Sequence, residues 1–114
     1  MIIWLASYPK SGNTWMWFFI KSYFNPPNKK FSINHDKDDP YLLETFPTER
    51  RFDELNINYQ DFFDISKNWI NLQSLINLNN KTNYLKTHNA MCTINNNKFT
   101  DINNTLGAIH IVRD

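Results

Sequence analysis

The chain has 114 residues, 12 basic against 11 acidic side chains, and a formal net charge of +1. That length suits one small domain, and the balanced charge gives no drive toward nucleic acid or an anionic membrane surface. The single cysteine, Cys92, excludes an internal disulfide and suits a reducing compartment. No apolar run approaches the ~20 residues that cross a bilayer, and no basic-then-apolar leader opens the sequence, so a soluble, cytoplasmic protein is expected.

Ile2-Ile3-Trp4-Leu5-Ala6 is continuous and apolar, as expected of a strand covered on both faces in a parallel sheet. A tight polar loop follows, Ser7-Tyr8-Pro9-Lys10-Ser11-Gly12-Asn13-Thr14, and then an aromatic, helix-like segment from Trp15 to Phe24. Asn13 or Thr14 is the expected cap, and the helix is expected to stop before Pro26-Pro27. Trp15, Phe18, Phe19 and Ser22 share one helical face, widened by Trp17, Ile20 and Phe24; so many aromatics predict a mostly buried helix. Strand, loop and helix N-terminus in this order form an anion cradle. The first-turn N–H groups and the helix dipole attract phosphate or sulfate, Gly12 lets the backbone approach it, and Lys10 adds a full positive charge.

Residues 25–50 read as irregular, with Pro26, Pro27, Pro40 and Pro47 and the charged run His35-Asp36-Lys37-Asp38-Asp39. That run reads as a solvated loop in preference to a hard-cation site. A short helix is expected over 49–63, with Phe52, Leu55 and Tyr59 near helical spacing, and a better one over 67–78 capped by Ser66. In the latter, Trp69, Leu72, Leu75 or Gln73, and Ile76 form the apolar face. Asn83-Tyr84-Leu85-Lys86-Thr87 reads as a second strand, Asn95 to Asn104 as a polar connection with a turn and one helical stretch, and Leu106–Val112 as a third strand. The 18 asparagines reflect composition bias more simply than a prion-like role, because apolar and aromatic residues are interleaved throughout.

Strands separated by helical segments predict an α/β fold, a parallel sheet flanked by helices. Functional groups in such sheets gather beyond the carboxyl ends of the strands. Here those ends carry Lys10, Lys86 with His88, and Arg113. Lys86 and His88 are two apart and point the same way on an extended chain. His110, inside the third strand, reads as structural.

The loop departs from a Walker A sequence, G-x-x-x-x-G-K-[ST]. Gly12-Asn13-Thr14 occupies the G-K-[ST] place, so Asn13 stands where the lysine belongs, and the lysine lies upstream at Lys10. Tyr8-Pro9-Lys10-Ser11-Gly12-Asn13-Thr14-Trp15 instead resembles the 5′-phosphosulfate loop of sulfotransferases that use 3′-phosphoadenosine-5′-phosphosulfate (PAPS). Lys86-Thr87-His88 resembles that family's segment carrying the general base. Ile109-His110-Ile111-Val112-Arg113-Asp114 resembles the start of its 3′-phosphate segment.

The resemblance implies a P-loop-like, three-layer α/β sandwich of which residues 1–114 are the N-terminal part, so that the isolated chain binds PAPS poorly and turns over little. It implies His88 as base, with Lys10 and Lys86 acting on the transferring group. Lys10, Ser11, Gly12, Asn13, Thr14, Trp15 and Arg113 would bind the cosubstrate. PAPS is the implied cosubstrate, with no metal, and the acceptor is a small molecule or glycan bearing a hydroxyl or amine. Residues 25–80, where that family shapes its acceptor pocket, carry no recognisable motif. Two other readings remain: a P-loop kinase or NTPase, which needs a lysine at position 13 and an acidic Mg²⁺ ligand such as Asp114, and a non-catalytic nucleotide-binding remnant.

Overall fold

The centre of the sheet is β1 (Ile2–Ser7), the most apolar strand. In this computed structural model, which describes residues 1–24, 27–28 and 44–114, β1 pairs in parallel with β3 (Asn83–Thr87) on one side and β6 (Thr105–Ile111) on the other. The two-residue β2 (Glu44–Thr45) pairs in parallel with β3 at the outer edge, giving the order β2-β3-β1-β6. Trp4 lies level with Leu85 and Ala108, and the register slips by one residue between Ile2 and Ile3 on the β6 side.

Alternation along β1 sends Ile2 and Trp4 to one face and Ile3 and Leu5 to the other. The first face packs under α3 (Phe62–Asn77) through Trp69, Leu72 and Ile76, joined by Leu85, Phe46 and Phe99. Trp4 is the hub: its ring lies 5.4 Å from Phe46 and 5.1 Å from Phe99, and its Nε1 donates to Thr105 Oγ1 at 2.9 Å. Trp69 meets Phe99 edge-on at 5.2 Å. Rings of this size supply most of the apolar area a small domain can bury. The second face carries α1 (Asn13–Tyr23), whose Phe24 end meets Tyr84 at 5.9 Å. The molecule is therefore α/β, a four-stranded parallel sheet with helices on both faces, as composition and pattern predict.

Several local expectations are corrected. α1 is not mostly buried: of its aromatics only Trp17 is in the core, while Trp15 is 80 % and Phe19 67 % exposed. The helix is amphipathic, and its second aromatic face looks outward. Its N-cap is Gly12; Asn13 is already helical and its side chain turns inward. The helix expected over 49–63 is only α2 (Glu49–Glu54); Leu55 caps it and Asn56 turns left-handed at φ 53. Tyr59 stacks on Phe52 from the loop that follows. α3 starts five residues earlier than expected because Asp61, not Ser66, caps it, accepting from Phe63 N at 2.9 Å. Ser66 Oγ bonds back to Phe63 O inside the helix. Gln73, not Leu75, completes the buried face, donating to Phe99 O at 2.6 Å.

No helical stretch follows Asn95. Two short strands, β4 (Thr93–Ile94) and β5 (Asn97–Lys98), form a hairpin whose turn residues Asn95 and Asn96 both have positive φ. Part of the segment read as irregular holds β2 and the start of α2. The run His35 to Asp39 lies outside the described residues. Among the described residues no helix is long and apolar enough to cross a membrane.

Candidate anion-binding site

The loop after β1 turns through Lys10 (φ 65) and Gly12 (φ 101) before entering α1. Positive φ at a lysine is uncommon and marks a backbone shaped by more than local preference. Gly12 meets the same demand without a Cβ. The first backbone bond of α1 runs from Met16 N to Gly12 O, so the N–H groups of Asn13, Thr14 and Trp15 precede the helical ladder and face the loop's mouth. With the helix dipole they form a positive, donor-rich concavity.

Asn13 anchors the cradle from beneath. Its Nδ2 donates to Leu5 O at 3.0 Å, tying the first helical residue to the end of β1. Its side chain is 4 % exposed, and its Oδ1 is buried without a partner. The side chain that replaces the Walker lysine is thus a tie to the sheet, and Asn13 offers a ligand only its backbone N–H.

The other residues arrive on the neighbouring strands. Lys86 sits on β3 and His88 just beyond its end, while Arg113 lies two residues past β6. Arg113 Nη1 donates to Lys10 O at 3.3 Å, drawing the end of the chain over the loop. His88 Nδ1 lies 2.7 Å from Ser7 O. A carbonyl only accepts, so Nδ1 carries the proton there, and in the neutral ring Nε2 keeps its lone pair.

Lys10, Ser11, Gly12, Asn13, Thr14, Trp15, Lys86, His88 and Arg113 together line one cleft of about 490 Å³. Every residue that the sequence analysis assigns to catalysis or cosubstrate binding lines this cleft; Asp114, the Mg²⁺ ligand of the rival reading, does not. The lining contains three permanent cations and no carboxylate. A larger groove of about 590 Å³ lies away from the strand ends. Its charges are already committed: Arg51 forks onto Glu44 at 2.6 and 2.8 Å, and Lys21 sits over the Trp17 ring. The hydrogen bonds that Arg51 donates to the Glu44 carboxylate hold its pKa above the ordinary value despite the opposing effect of burial.

Sequence reasoning missed two parts of this site. The carbonyl that orients His88 belongs to Ser7, and a backbone atom leaves no trace in sequence. The inward turn of Asn13 was equally hidden, although an amide in place of a lysine is the one signal that could have raised it. Compared with family models, curated proteins and solved structures, the chain matches none.

Proposed function

We propose that this protein transfers a sulfuryl group from PAPS to a hydroxyl or amine acceptor. The observation that carries the reading is the cleft itself: Lys10, Lys86 and Arg113 converge, with no acid among them, on the N-terminus of α1, whose cap Gly12 offers no side-chain hydrogen bond. Such a lining suits a ligand bearing several negative charges. Its volume lies within the range of small-ligand sites.

When bound, PAPS supplies a sulfuryl group already activated by its bond to phosphate. The three cations and first-turn amides of the lining suit a ligand with several negative charges. Lys10 and the N–H groups of Gly12, Asn13 and Thr14 oppose the negative charge that collects on the 5′-phosphate oxygen as the S–O bond to it breaks. Lys86 faces the transferred oxygens. Arg113, whose guanidinium can fork onto a phosphate, takes the 3′-phosphate. His88 Nε2 accepts the acceptor's proton while the acceptor atom bonds to sulfur, and its imidazolium is steadied by the Nδ1–H bond to Ser7 O. Positioning and preorganised positive charge supply most of the acceleration. A reducing, cytoplasmic setting fits the single thiol of Cys92.

A kinase or NTPase reading finds less support. Asn13 is turned into the sheet, and among the described residues the cleft offers a hydrated Mg²⁺ no carboxylate. The test is a titration of the purified chain with adenosine 3′,5′-bisphosphate (PAP), without metal. Weak but saturable binding is expected, as suits an N-terminal part, and Lys10→Ala should weaken it at least about 10-fold through loss of one charged hydrogen bond. No binding at millimolar PAP overturns the proposal; Mg²⁺-dependent ATP turnover favours the rival. Binding without any sulfation leaves a nucleotide-binding protein.

A further inference from the structure

The outer edge of β6 and the flank of α1 form an apolar face that the cationic cleft does not use. Among the described residues β6 pairs with β1 on one side and with no strand on the other. Beyond the register slip at Leu106, residues 107–111 run in step with residues 3–7, so the outward N–H and C=O groups of β6 stand in regular spacing. Natural edge strands are blunted by lysine, proline, inward charge, brevity or a bulge. Thr105-Leu106-Gly107-Ala108-Ile109-His110-Ile111 has no lysine, proline or carboxylate. The bulge at Leu106 is a device of that kind, but it lies at the start of the strand and leaves the middle open.

Beside this edge, on the α1 face of the sheet, lies an apolar groove of about 460 Å³. Ile3, Leu106 and Ile109 line it from the sheet, and Phe19, Tyr23 and Phe24 from α1 and its C-cap. Phe19 is 67 %, Tyr23 76 % and Phe24 48 % exposed. At ~150–250 Å² for each residue, the three leave roughly 300–480 Å² of aromatic surface in water. A standard interface takes about 800 Å² from each partner, and the free edge of β6 with exposed Leu106 and Val112 stands beside the rings to supply the rest. The groove carries no charged side chain, so it selects neither a basic nor an acidic partner. A lipid surface would cover the rings but leave the strand's backbone groups without hydrogen-bond partners. A second strand satisfies both.

We propose that this face is a homodimer interface, in which β6 of one copy pairs antiparallel with β6 of a second copy to give a continuous eight-stranded sheet. Two closed two-fold pairings of identical edges exist. The parallel one would set the two cationic clefts side by side and place α1 of the two copies on opposite faces. The antiparallel one puts Lys10, Lys86 and Arg113 of each copy at opposite ends of the joined sheet. It also keeps both α1 helices on one face, so that Phe19 and Tyr23 of each copy close over the paired β6 strands. Charge and apolar cover therefore choose the same arrangement. The inference stands apart from the sulfuryl-transfer reading, because no residue of this groove lines the cationic cleft.

The experiment is analytical ultracentrifugation of the purified chain from about 1 to 500 µM. Expected is a reversible monomer–dimer equilibrium with no larger species. Ala108→Lys places a lysine at an exposed position in the middle of the edge strand, and Phe19→Glu places a carboxylate on the exposed flank of α1. Each should weaken the dimer at least about tenfold. Leu78→Lys, equally exposed but at the end of α3, should leave it unchanged. Where circular dichroism shows a charged variant unfolded, Phe19→Ser takes its place. A monomer throughout the range overturns the proposal, as do open-ended aggregates or a dimer that neither the strand nor the helix substitution weakens.

Discussion

Asn13 and His88 show how single side chains set the chemistry of the site. Asn13 occupies the position from which a Walker lysine would reach into the cleft, yet its amide is bonded to Leu5 O and shut away from solvent. Asn13→Ala is expected to lower stability by about 1–2 kcal/mol, read as a lower urea midpoint, since it deletes one buried hydrogen bond. The same variant should weaken PAP binding, because the first-turn amides lose their tie to the sheet. His88 works in the opposite sense: its Nδ1 is held at Ser7 O while its side chain lines the cationic cleft. On the proposed reading, His88→Ala should reduce any sulfation the chain supports about 10²- to 10⁴-fold, the usual contribution of a general base, while PAP affinity measured by calorimetry changes little. An unchanged rate would remove the imidazole from the mechanism.

At the scale of elements, the termini and turns decide boundaries that periodicity alone misplaces. α3 gains its first turn from Asp61, whose carboxylate satisfies an N–H that would otherwise face water. Asp61→Ala should cost ~1 kcal/mol in chemical denaturation. The β4–β5 hairpin turns on two residues with positive φ, a conformation asparagine tolerates and β-branched residues do not. Asn96→Val should therefore cost about 1–3 kcal/mol. The loss should extend beyond the hairpin, because Phe99 just after β5 is fully buried against Trp4 and Trp69. A midpoint equal to that of the parent would mean the turn relaxes freely.

For the whole molecule, one aromatic cluster holds the sheet to α3 while the charges stand at the strand ends. Trp4→Ala should cost about 3–5 kcal/mol, a large part of the ~5–15 kcal/mol that stabilises a typical domain. Amide exchange should accordingly be slowest in β1 and β3 and faster in β6, which pairs on one side only. The site is tuned separately from this core: Lys10, Lys86 and Arg113 face an open cleft, so PAP affinity should fall steadily as salt rises, with the folding midpoint little affected.

What the chain's order of residues settled unaided was the pattern that depends on near neighbours: an apolar strand, a loop with lysine before glycine, further strands ending in Lys86 and Arg113, and so an α/β fold with its charges at one rim. The boundaries of β1, β3 and β6 were legible to within one residue, because apolar runs between polar turns leave few choices. Tertiary structure alone decided the rest. It fixed which aromatic face of α1 is covered, since Trp15 and Trp17 look alike until a sheet lies against only one of them. It turned Asn13 inward by placing Leu5 O within reach, and set Ser7 O beside His88 across 81 residues of chain. These are distances between segments remote in sequence, and no local preference encodes them.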